Sequence, residues 1–588
     1  MKFELLPNEI FIECFEYLNG QDIFYSFDRL NCRFNKLIRH IWLHVNFQNV
    51  KKAIFDQFCK TILLDPEIKT KICSLKLSNE SNTCGQIGEF LSFFSLNKFS
   101  HLRSLTLIKV KENEVDKIKS MLPTLSDLCY FCLNDTLHKH DELLSALPLS
   151  KIRTLLVRDL SYDLMSIYET ISITNLTLFD CSFNDLCQIL KYVPMLKYLN
   201  AGCMDSDVKD DKFLKTALCL ANNQALLLIK LIIRISSITF VDFEMLLKQT
   251  PNLSTLILSS SSRHLINAYD WEHFISILLP HLNHFEFKFY IRLIEKDDTD
   301  RTIDELFHIF KQFQTDFWHN QHHWYTEYYV HKDMAIIYTI PYISQYFTLT
   351  PDRNKHCNIL VNNSQSFERV TKLTLSSSAL TNNCRHYFSN VQSLHLVNYN
   401  SRSINDLCAL NPEDIQSIKN IINLSNLKHL DIEDHYSINL SLVLLEMLKQ
   451  APQLSSITMR TSSVTLLFDN DQLCQYLNKM IKKLNIKKLA YFYPYIHSNQ
   501  IEKFCTIFSN IEQLECSIDQ LDHLLLLLSH LSKLSNITVN SSCFPDDINL
   551  WLHDKTMELK RNYLFEYTEE IFSPENKTLN IWIGENIN

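Results

Sequence analysis

The chain has 588 residues, of which 46% are hydrophobic and 21% charged, the balance of a folded globular protein. Its formal net charge of −9 at pH 7 argues against a nucleic-acid partner, because phosphate contacts need a clustered basic surface. The five glycines are scattered, whereas phosphate-binding loops need several glycines close together. Composition and charge therefore disfavour nucleotide and nucleic-acid binding.

The cysteines and the apolar runs bear on the cellular compartment. The 18 cysteines are spread over the whole chain. The N-terminal sequence lacks the basic region, apolar core and cleavage site of a secretory signal. No apolar run reaches the roughly 18 residues of a membrane span. We therefore expect reduced thiols in a cytoplasmic or nuclear protein that does not associate with a membrane.

The first predicted element is a helix over LPNEIFIECFEYL, residues 6–18. Pro7 suits a first helical turn, Glu9 complements the helix N-terminus, and Gly20 follows the last apolar residue. Apolar residues recur with helical spacing at Ile10, Phe11, Cys14, Phe15 and Leu18. Further apolar residues precede the helix, so the segment has more apolar surface than one short helix can hide. This surface needs a partner, inside the chain or outside it.

The remainder of the chain repeats a short motif. LLKQTPNLSTLIL at 246–258 and MLKQAPQLSSITM at 447–459 match at six of thirteen positions. The weaker form L-x-x-L-x-L recurs at the spacing typical of leucine-rich repeats. Its first residues are Ile72, Leu102, Leu128, Ile152, Ile173, Leu196, Leu228, Leu253, Leu282, Val370, Val391, Leu427, Leu454, Ile486, Ile511 and Leu534. One unit cannot bury its own apolar face, so the pattern predicts an α/β fold: a curved solenoid with a parallel inner sheet and outer helices.

Residues 290–369 interrupt this pattern. A predicted helix at 302–313 is followed by an aromatic and histidine-rich stretch and by two strand-like segments, AIIYTIPYI and NILV. Irregular repeats with a longer hairpin are the favoured interpretation, and a dedicated binding insert is the alternative. The predicted organisation is an N-terminal helical domain, the first part of the repeat array, the interrupting segment, and the second part of the array with a C-terminal cap, at 1–48, 49–289, 290–369 and 370–588.

Few residues offer catalytic or metal-binding chemistry. The metal candidates are His319, His322, His323 and His331, but no Cys, Asp or Glu completes a recognised zinc spacing, so packed or solvated histidines are favoured. Cys129 and Cys132 form a lone CxxC, and an alternating strand can keep their side chains apart. No sequence motif of a known catalytic class is present. We predict a protein that is not an enzyme and needs no cofactor or metal.

The predicted strands also define a polar surface. The residues that alternate with the leucines face away from the core, because strand side chains alternate between the two faces of a sheet. Those predicted to contact a protein partner are His284, Glu286, Lys288, His429, Asp431, Glu433 and Arg460. Any one of them alone is better explained as a solvated residue, but together they have the mixed charge of a protein-binding surface. Arginines are sparse among the outward positions, so we expect mixed polar contacts rather than recognition of a phosphorylated segment.

The first forty residues resemble the F-box. The family pattern is L-P-x-E-I-L-x-x-I-F-x-Y-L, then Asp-Leu, then an apolar residue, Cys or Asn, any residue, Arg and an aromatic residue. The matching residues are Leu6, Pro7, Glu9, Ile10, Phe11, Cys14, Phe15, Tyr17, Leu18, Asp22, Ile23, Leu30, Asn31, Arg33, Phe34 and Leu37. Departures occur at Cys14, usually a larger aliphatic residue, and at Phe34, often Trp. The rest of the chain resembles F-box/leucine-rich-repeat proteins more loosely.

This resemblance implies a substrate-recognition subunit of an SCF-type (Skp1–cullin–F-box) ubiquitin ligase. In that family the F-box binds a Skp1-like adaptor of the cullin complex, and the repeats hold a protein substrate. The residues implied for adaptor binding are Leu6, Pro7, Glu9, Ile10, Phe15, Leu18, Asp22 and Phe34. Two alternatives stay open. The helices could cap the first repeat of a scaffold or inhibitor that has no ligase, or, least favoured, the histidine-rich segment could serve an enzyme.

Overall fold

The computed structural model describes residues 3–135, 140–160, 171–203, 225–236, 238–292, 299–331, 334–349, 354–357, 366–376, 379–380, 386–397, 411–432, 440–487, 498–545, 548–559, 561–570 and 573–586. The chain divides into two compact units, Met1–Thr339 and Ile340–Asn588. Each unit is built on a large, mostly parallel sheet with helices between its strands. This confirms the predicted mixed α/β class, and the division between the units falls inside the interrupting segment 290–369.

The strands of the first unit are β1 Leu43–Asn46, β2 Ile72–Ser78, β3 Ser104–Ile108, β4 Tyr130–Asn134, β5 Thr154–Val157, β6 Asn175–Cys181, β7 Tyr198–Cys203, β8 Lys230–Ile235, β9 Thr255–Ser260, β10 His284–Arg292, β11 Thr326–His331 and β12 Met334–Thr339. Strands β1 to β10 are parallel and lie side by side in chain order. Strands β11 and β12 form an antiparallel hairpin, and β12 pairs with β10. The sheet therefore begins directly after the N-terminal helices.

The α-helices of the first unit are α1 Asn8–Glu16, α2 Gly20–Phe27, α3 Cys32–His40 and α4 Lys52–Leu64, then Pro66–Lys71, Gln86–Phe93, Glu112–Met121, His140–Ser145, Phe183–Ile189, Phe240–Lys248, Ala268–Leu278 and Thr299–Lys311. Local sequence sets where they begin: the Thr239 hydroxyl, for example, accepts a hydrogen bond from Asp242 N–H at 3.2 Å. Within the described residues, no helix combines the length and the apolar character needed to cross a membrane.

The strands form where the L-x-x-L-x-L motif predicts them. The first residue of the motif is buried and precedes the strand by two residues, as Leu102 does before β3 and Leu253 does before β9. Equivalent residues of successive repeats pair in register: Leu105 pairs with Leu75 on one side and Phe131 on the other. Each strand therefore buries alternate side chains and leaves the others on the opposite face of the sheet.

The interrupting segment contains a helix and the hairpin. The helix predicted at 302–313 is present as Thr299–Lys311. After it, a short π-helix at Phe317–Gln321 buries Trp318, whose ring centroid lies 4.8 Å from that of Phe313. The predicted strand AIIYTIPYI supplies most of β12, whereas NILV lies outside the described residues. Within the described residues, the segment therefore contains one α-helix, a short π-helix and an antiparallel hairpin.

The strands of the second unit are β13 Tyr346–Leu349, β14 Asn354–Cys357, β15 Lys372–Ser376, β16 Ser393–Val397, β17 His429–Ile432, β18 Ser456–Arg460, β19 Lys483–Lys487, β20 Gln513–Ser517, β21 Asn536–Ser541, β22 Arg561–Glu570 and β23 Ser573–Asn586. Its α-helices are Asp414–Ile421, Leu440–Gln450, Thr461–Leu466, Asp471–Met480, Ser498–Ile507, Leu521–His530 and Ile548–Leu559. The sheet order is β13-β15-β16-β17-β18-β19-β20-β21-β23-β22, parallel up to β21. The antiparallel pair β22–β23 completes the last edge.

One repeat uses a register different from the predicted one. The sequence suggested Ile486 as a first motif residue, but Ile486 is a buried residue within β19, and the motif begins at Ile481. Two overlapping strings fit the motif here, one with Leu484 as its second apolar residue and the other with Leu489. Spacing alone does not distinguish the two strings. In the structure β19 contains Leu484, so the chain uses the string that begins at Ile481.

Candidate partner-binding surfaces

Local signals fix the starts of α1, α2 and α3; α2 packs against β1, and α1 and α3 pack on α2 and on each other. Helix α1 begins directly after Pro7, which has an extended conformation. Gly20 was expected to follow the end of α1, and it also starts α2, where an added Cβ would lie 3.2 Å from Val45 Cγ2. Asn31 caps α3, its side-chain oxygen accepting a hydrogen bond from Phe34 N–H at 3.0 Å. The N-terminal segment is therefore a compact helical layer against the first strand.

The inner face of this layer is an aromatic cluster. The ring centroids of Phe11 and Phe34 lie 4.9 Å apart, and Phe27 lies 5.1 Å from Phe15 and 5.3 Å from Phe34. Phe15 and Phe34 are 2% and 1% exposed. Both were predicted to contact the adaptor, but the chain itself buries them. Helical spacing could not distinguish this internal packing from an external interface, because both require one apolar stripe.

Arg33 holds the residues that precede α1. Its guanidinium donates hydrogen bonds to the backbone carbonyls of Glu4 and Leu6 at 2.6 and 2.5 Å, and to Asn8 Oδ1 at 2.7 Å. The same group lies over the Phe11 ring, 5.1 Å from its centroid. Three hydrogen bonds and a cation–π contact give the N-terminal segment a defined path although it lies at the surface.

Several apolar residues of α1 and its C-terminal end stay exposed beside the aromatic cluster. Ile10, Cys14, Tyr17 and Leu18 recur at helical spacing and are exposed, with 40% of Ile10, 84% of Tyr17 and 39% of Leu18 accessible. We call these four residues the N-terminal apolar stripe. Of the other predicted adaptor-binding residues, Pro7, Glu9 and Asp22 are exposed and Leu6 is half-buried. Exposed residues that the prediction did not assign to the adaptor are Leu5, Ile12, Tyr17, Tyr25 and Leu30.

A recess lies beside this layer, between α2 and α4. It has a volume of about 250 Å³. Among the residues that line it are Phe24, Tyr25, Phe58 and Leu64, and Gln21 contributes a buried side-chain oxygen that lacks a hydrogen-bond partner among the described residues. Charged side chains such as Asp28, Arg29 and Lys60 line the recess as well, so it offers a side chain of a partner a mixed polar and apolar surface. Sequence reasoning missed this recess because its two helices are some thirty residues apart in the chain.

In the first unit, the predicted partner-binding residues His284, Glu286 and Lys288 alternate along β10, as expected. His284 is exposed and Lys288 half-buried, but Glu286 is only 3% exposed. Its Oε1 lies 3.1 Å from Nε2 of His284. Glu286 is therefore not available as a surface contact.

In the second unit, His429 and Asp431 lie on one face of β17. His429 Nδ1 is 2.8 Å from Ser456 Oγ, and Asp431 Oδ2 is 3.8 Å from Nε2 of His395. Arg460 ends β18 and is 9% exposed, so it does not belong to the accessible surface. Glu433 lies outside the described residues. The structure thus leaves His429 and Asp431 as the half-exposed members of the predicted set in this unit.

The histidine-rich stretch packs against aromatic rings. His322 stacks on Trp324, with centroids 4.2 Å apart and planes 14° from parallel. Burial lowers the pKa of His319, and burial together with His323 lowers the pKa of His322. His331 belongs to β11. Within the described part of the chain, no three His, Cys, Asp or Glu side chains are grouped as metal ligands.

Comparisons with known proteins do not assign the chain to a family. No family model matches it, and no curated protein matches it. A crystal structure of a Bacteroides fragilis protein, solved as a structural-genomics target, is similar over 43% of this chain and 76% of that chain. The sequence identity is 13% and the TM-score is 0.27, which is too low to support an argument about fold or function.

Proposed function

We propose that the chain is the substrate-recognition subunit of an SCF-type ubiquitin ligase. In this proposal the N-terminal helices form an F-box that binds a Skp1-like adaptor of the cullin complex. The repeats form a curved leucine-rich-repeat solenoid that binds a protein substrate. The chain itself catalyses nothing; it holds the substrate so that a ubiquitin-loaded enzyme of the complex meets the substrate's lysines. The ligase would act in the cytoplasm or nucleus.

The observation that carries the proposal is the N-terminal apolar stripe. Phe11 and Phe15 of α1 are packed in the aromatic cluster, yet Ile10, Tyr17 and Leu18, which adjoin them on the same apolar side, stay exposed. Exposed apolar surface forgoes roughly 25 cal/mol for each Å² that a partner would cover. The stripe coincides with the part of the sequence that resembles the F-box, and Arg33, a residue of that pattern, fixes the path of Leu6. A docked adaptor accounts for both the exposure and the sequence order.

The alternative is a repeat scaffold or inhibitor that binds a protein partner without a ligase. It is supported by the contact of α2 with β1, where Gly20 fits closely against Val45. Helices that cover the first strand cap a repeat array and need no adaptor. A cap does not require the exposed stripe, however, because α2 makes the contact with β1, whereas the stripe lies on α1 and the two residues that follow it. We therefore prefer the ligase subunit.

Co-purification tests the proposal. The tagged full-length chain is expressed with a Skp1-like adaptor and a cullin, and the eluted complex is separated by size. We expect the three proteins to co-elute in equal amounts. A chain that elutes alone in the presence of excess adaptor would contradict the proposal and favour the scaffold. Because the stripe is apolar, the complex should survive high salt, which distinguishes it from weak electrostatic capture.

A further inference from the structure

Three cationic residues lie at the N-terminal ends of alternate strands in the first unit's sheet. Arg103, Arg153 and Lys197 are exposed and directly precede β3, β5 and β7. Backbone hydrogen bonds of 2.8 to 3.0 Å connect them through the intervening Cys129 and Thr174. Because neighbouring strands lie about 4.8 Å apart, the three backbone positions are about 10 Å apart. We call Arg103, Arg153 and Lys197 the basic ladder.

The basic ladder is not neutralised by the chain. Within the described residues, no carboxylate oxygen lies within 4.0 Å of its three cations. The carboxylate of Asp127 interacts electrostatically with Arg103. The pKa of Asp127 is lowered chiefly by a hydrogen bond with His101 and, to a smaller degree, by the charge of Arg103. Arg103 also lies over the Trp42 ring, 5.5 Å from its centroid. The ladder thus retains positive charge that a partner can use.

The neighbouring surface strengthens this charge. Lys230 of β8 lies over Tyr198 at 5.8 Å, and the Arg234 guanidinium lies 3.4 Å from Oδ1 of Asn200. Among the carboxylates of the outward face, Asp180 Oδ2 lies 3.6 Å from the Arg158 guanidinium, and Glu286 Oε1 lies 3.1 Å from Nε2 of His284, which carries a charge only when protonated. In a chain of net charge −9, this face is locally basic.

We infer that the basic ladder binds an extended, acidic segment of a partner protein, with carboxylates at every third residue. A polyproline II segment has three residues per turn and rises about 3.1 Å per residue, so side chains three apart share one face about 9.3 Å apart. This spacing matches the ladder, whereas carboxylates two apart in a β-strand are only about 6.7 Å apart. Acidic segments favour extended conformations because their charges repel.

A nucleic acid fits these observations less well. Duplex DNA carries one phosphate about every 3.4 Å along each strand, roughly three times the charge density of the ladder. The negative chain as a whole also repels a polyanion, whereas a short acidic segment meets only the local field. The inference deepens the proposed function and rests on it only in naming the segment as part of a ubiquitination substrate.

The test measures binding of fluorescent peptides to the purified full-length chain by anisotropy. Each peptide has three glutamates in the same Ala/Ser/Pro background, placed three residues apart, two apart, seven apart or in one block. We expect the peptide with glutamates three apart to bind at least about fivefold more tightly than the others, and its affinity to fall with salt. Equal affinities, or tightest binding of any other spacing, would overturn the inference. So would tighter binding of single-stranded RNA.

Charge-reversal variants test whether the peptide binds at the basic ladder. The variant Arg153→Glu, Lys197→Glu should lose about tenfold or more in affinity. The matched control, Lys419→Glu with Lys479→Glu, changes the total charge equally at exposed positions on two helices of the second unit and should bind like the native chain. Equal losses in both variants would show that only net charge matters and would overturn the inference. Adaptor co-elution is measured separately on the same variants. Failure of the peptide assay therefore contradicts only the acidic-segment inference, and loss of adaptor co-elution contradicts only the ligase proposal.

Discussion

The guanidinium of Arg33 on α3 donates a hydrogen bond of 2.5 Å to the backbone carbonyl of Leu6, the residue that precedes Pro7 and the first helix. Arg33 is 27 residues away from Leu6 in sequence, so the third helix fixes the entry into the first. A guanidinium offers several N–H groups in a rigid plane, and here it reaches two carbonyls and Asn8 at once. An amine cannot reproduce this geometry.

Replacement of Arg33 should therefore weaken adaptor binding more than it weakens the fold. In Arg33→Ala, and nearly as much in Arg33→Lys, residues 4–8 lose their anchor. We expect adaptor affinity to fall about tenfold, while the thermal midpoint of the whole chain changes by only a few degrees. Calorimetric titration with the adaptor and a thermal melt measure the two effects. Native affinity in Arg33→Ala would show that the position of Leu6 does not matter for binding.

The N-terminal apolar stripe should respond to a charge. The substitutions Ile10→Asp and Leu18→Asp would each bury an unpaired carboxylate in a docked complex. The free chain tolerates either one because both positions are exposed. We expect either substitution to reduce adaptor affinity by about a hundredfold, close to 3 kcal/mol. Leu442→Asp is the matched control, since Leu442 is an exposed leucine of the second unit. Undiminished adaptor binding by both stripe variants would leave the cap as the better explanation.

The aromatic cluster makes a different prediction. Phe34 contacts Phe11 and Phe27 and is almost fully buried. Phe34→Ala should lower the free energy of unfolding of the N-terminal layer by about 3–5 kcal/mol, and adaptor binding should fail as a consequence of unfolding. Proteolysis of the N-terminal forty residues and denaturant unfolding measure this loss. A Phe34→Ala chain that keeps a protected N-terminus but loses the adaptor would instead make Phe34 a direct contact.

The sequence predicted the strands more accurately than the surfaces. Leucines such as Leu105 recur at positions that only an inward-facing strand residue explains, so periodicity determines their burial. Glu286 shows where this reasoning ends: it alternates with the buried phenylalanines of β10 as predicted, yet it is only 3% exposed. On one side β10 pairs with β12, a strand of a hairpin from about fifty residues further along the chain. No local pattern encodes such a pairing, so alternation along β10 alone does not give the accessibility of its charged residues.

The same limit applies to the N-terminal helices. The apolar period of α1 is unambiguous, but it does not state which apolar residues the chain covers itself. Phe11 and Phe15 are covered by aromatic residues of α2 and α3, whereas Ile10 and Leu18 are not. The buried and the exposed apolar residues of this short helix lie next to each other. Which of them are buried depends on how the three helices pack, and the sequence of α1 alone does not contain that information.

A buried carboxyl in the first unit should give the fold a measurable pH dependence. Burial raises the pKa of Glu114 above 4.5, although hydrogen bonds from Lys111 N–H and Asn79 Nδ2 oppose the shift. Between 4.5 and the raised value the folded chain binds more protons than the unfolded chain, so this group's contribution to stability falls as pH rises through that window.

Glu114→Gln should remove that slope. Lys111 N–H and Asn79 Nδ2 both donate to Oε2, and the carbonyl oxygen of a glutamine can accept both bonds, so the variant should lose no more than about 1 kcal/mol of stability. Urea unfolding from about pH 4.5 to 7 compares the native chain with Glu114→Gln and with the control Glu112→Gln, an exposed residue of the same helix. Parallel pH profiles for the native chain and Glu114→Gln would refute the assignment.

The second unit should contribute to substrate capture through His429 and Asp431. The two side chains face the same side of β17, and both are half-exposed, so a partner can reach them without disturbing the core. We expect His429→Ala with Asp431→Ala to reduce capture of a substrate in a pull-down by about tenfold, while adaptor binding and the thermal midpoint stay within error. The control pair, Asp522→Ala with His530→Ala, removes the same two residue types from exposed positions on the helix Leu521–His530. Capture that is lost in the basic-ladder variant but unchanged in His429→Ala with Asp431→Ala would confine recognition to the first unit. Loss in both would mean that the substrate contacts both units, as the charged outward positions of the later repeats suggest.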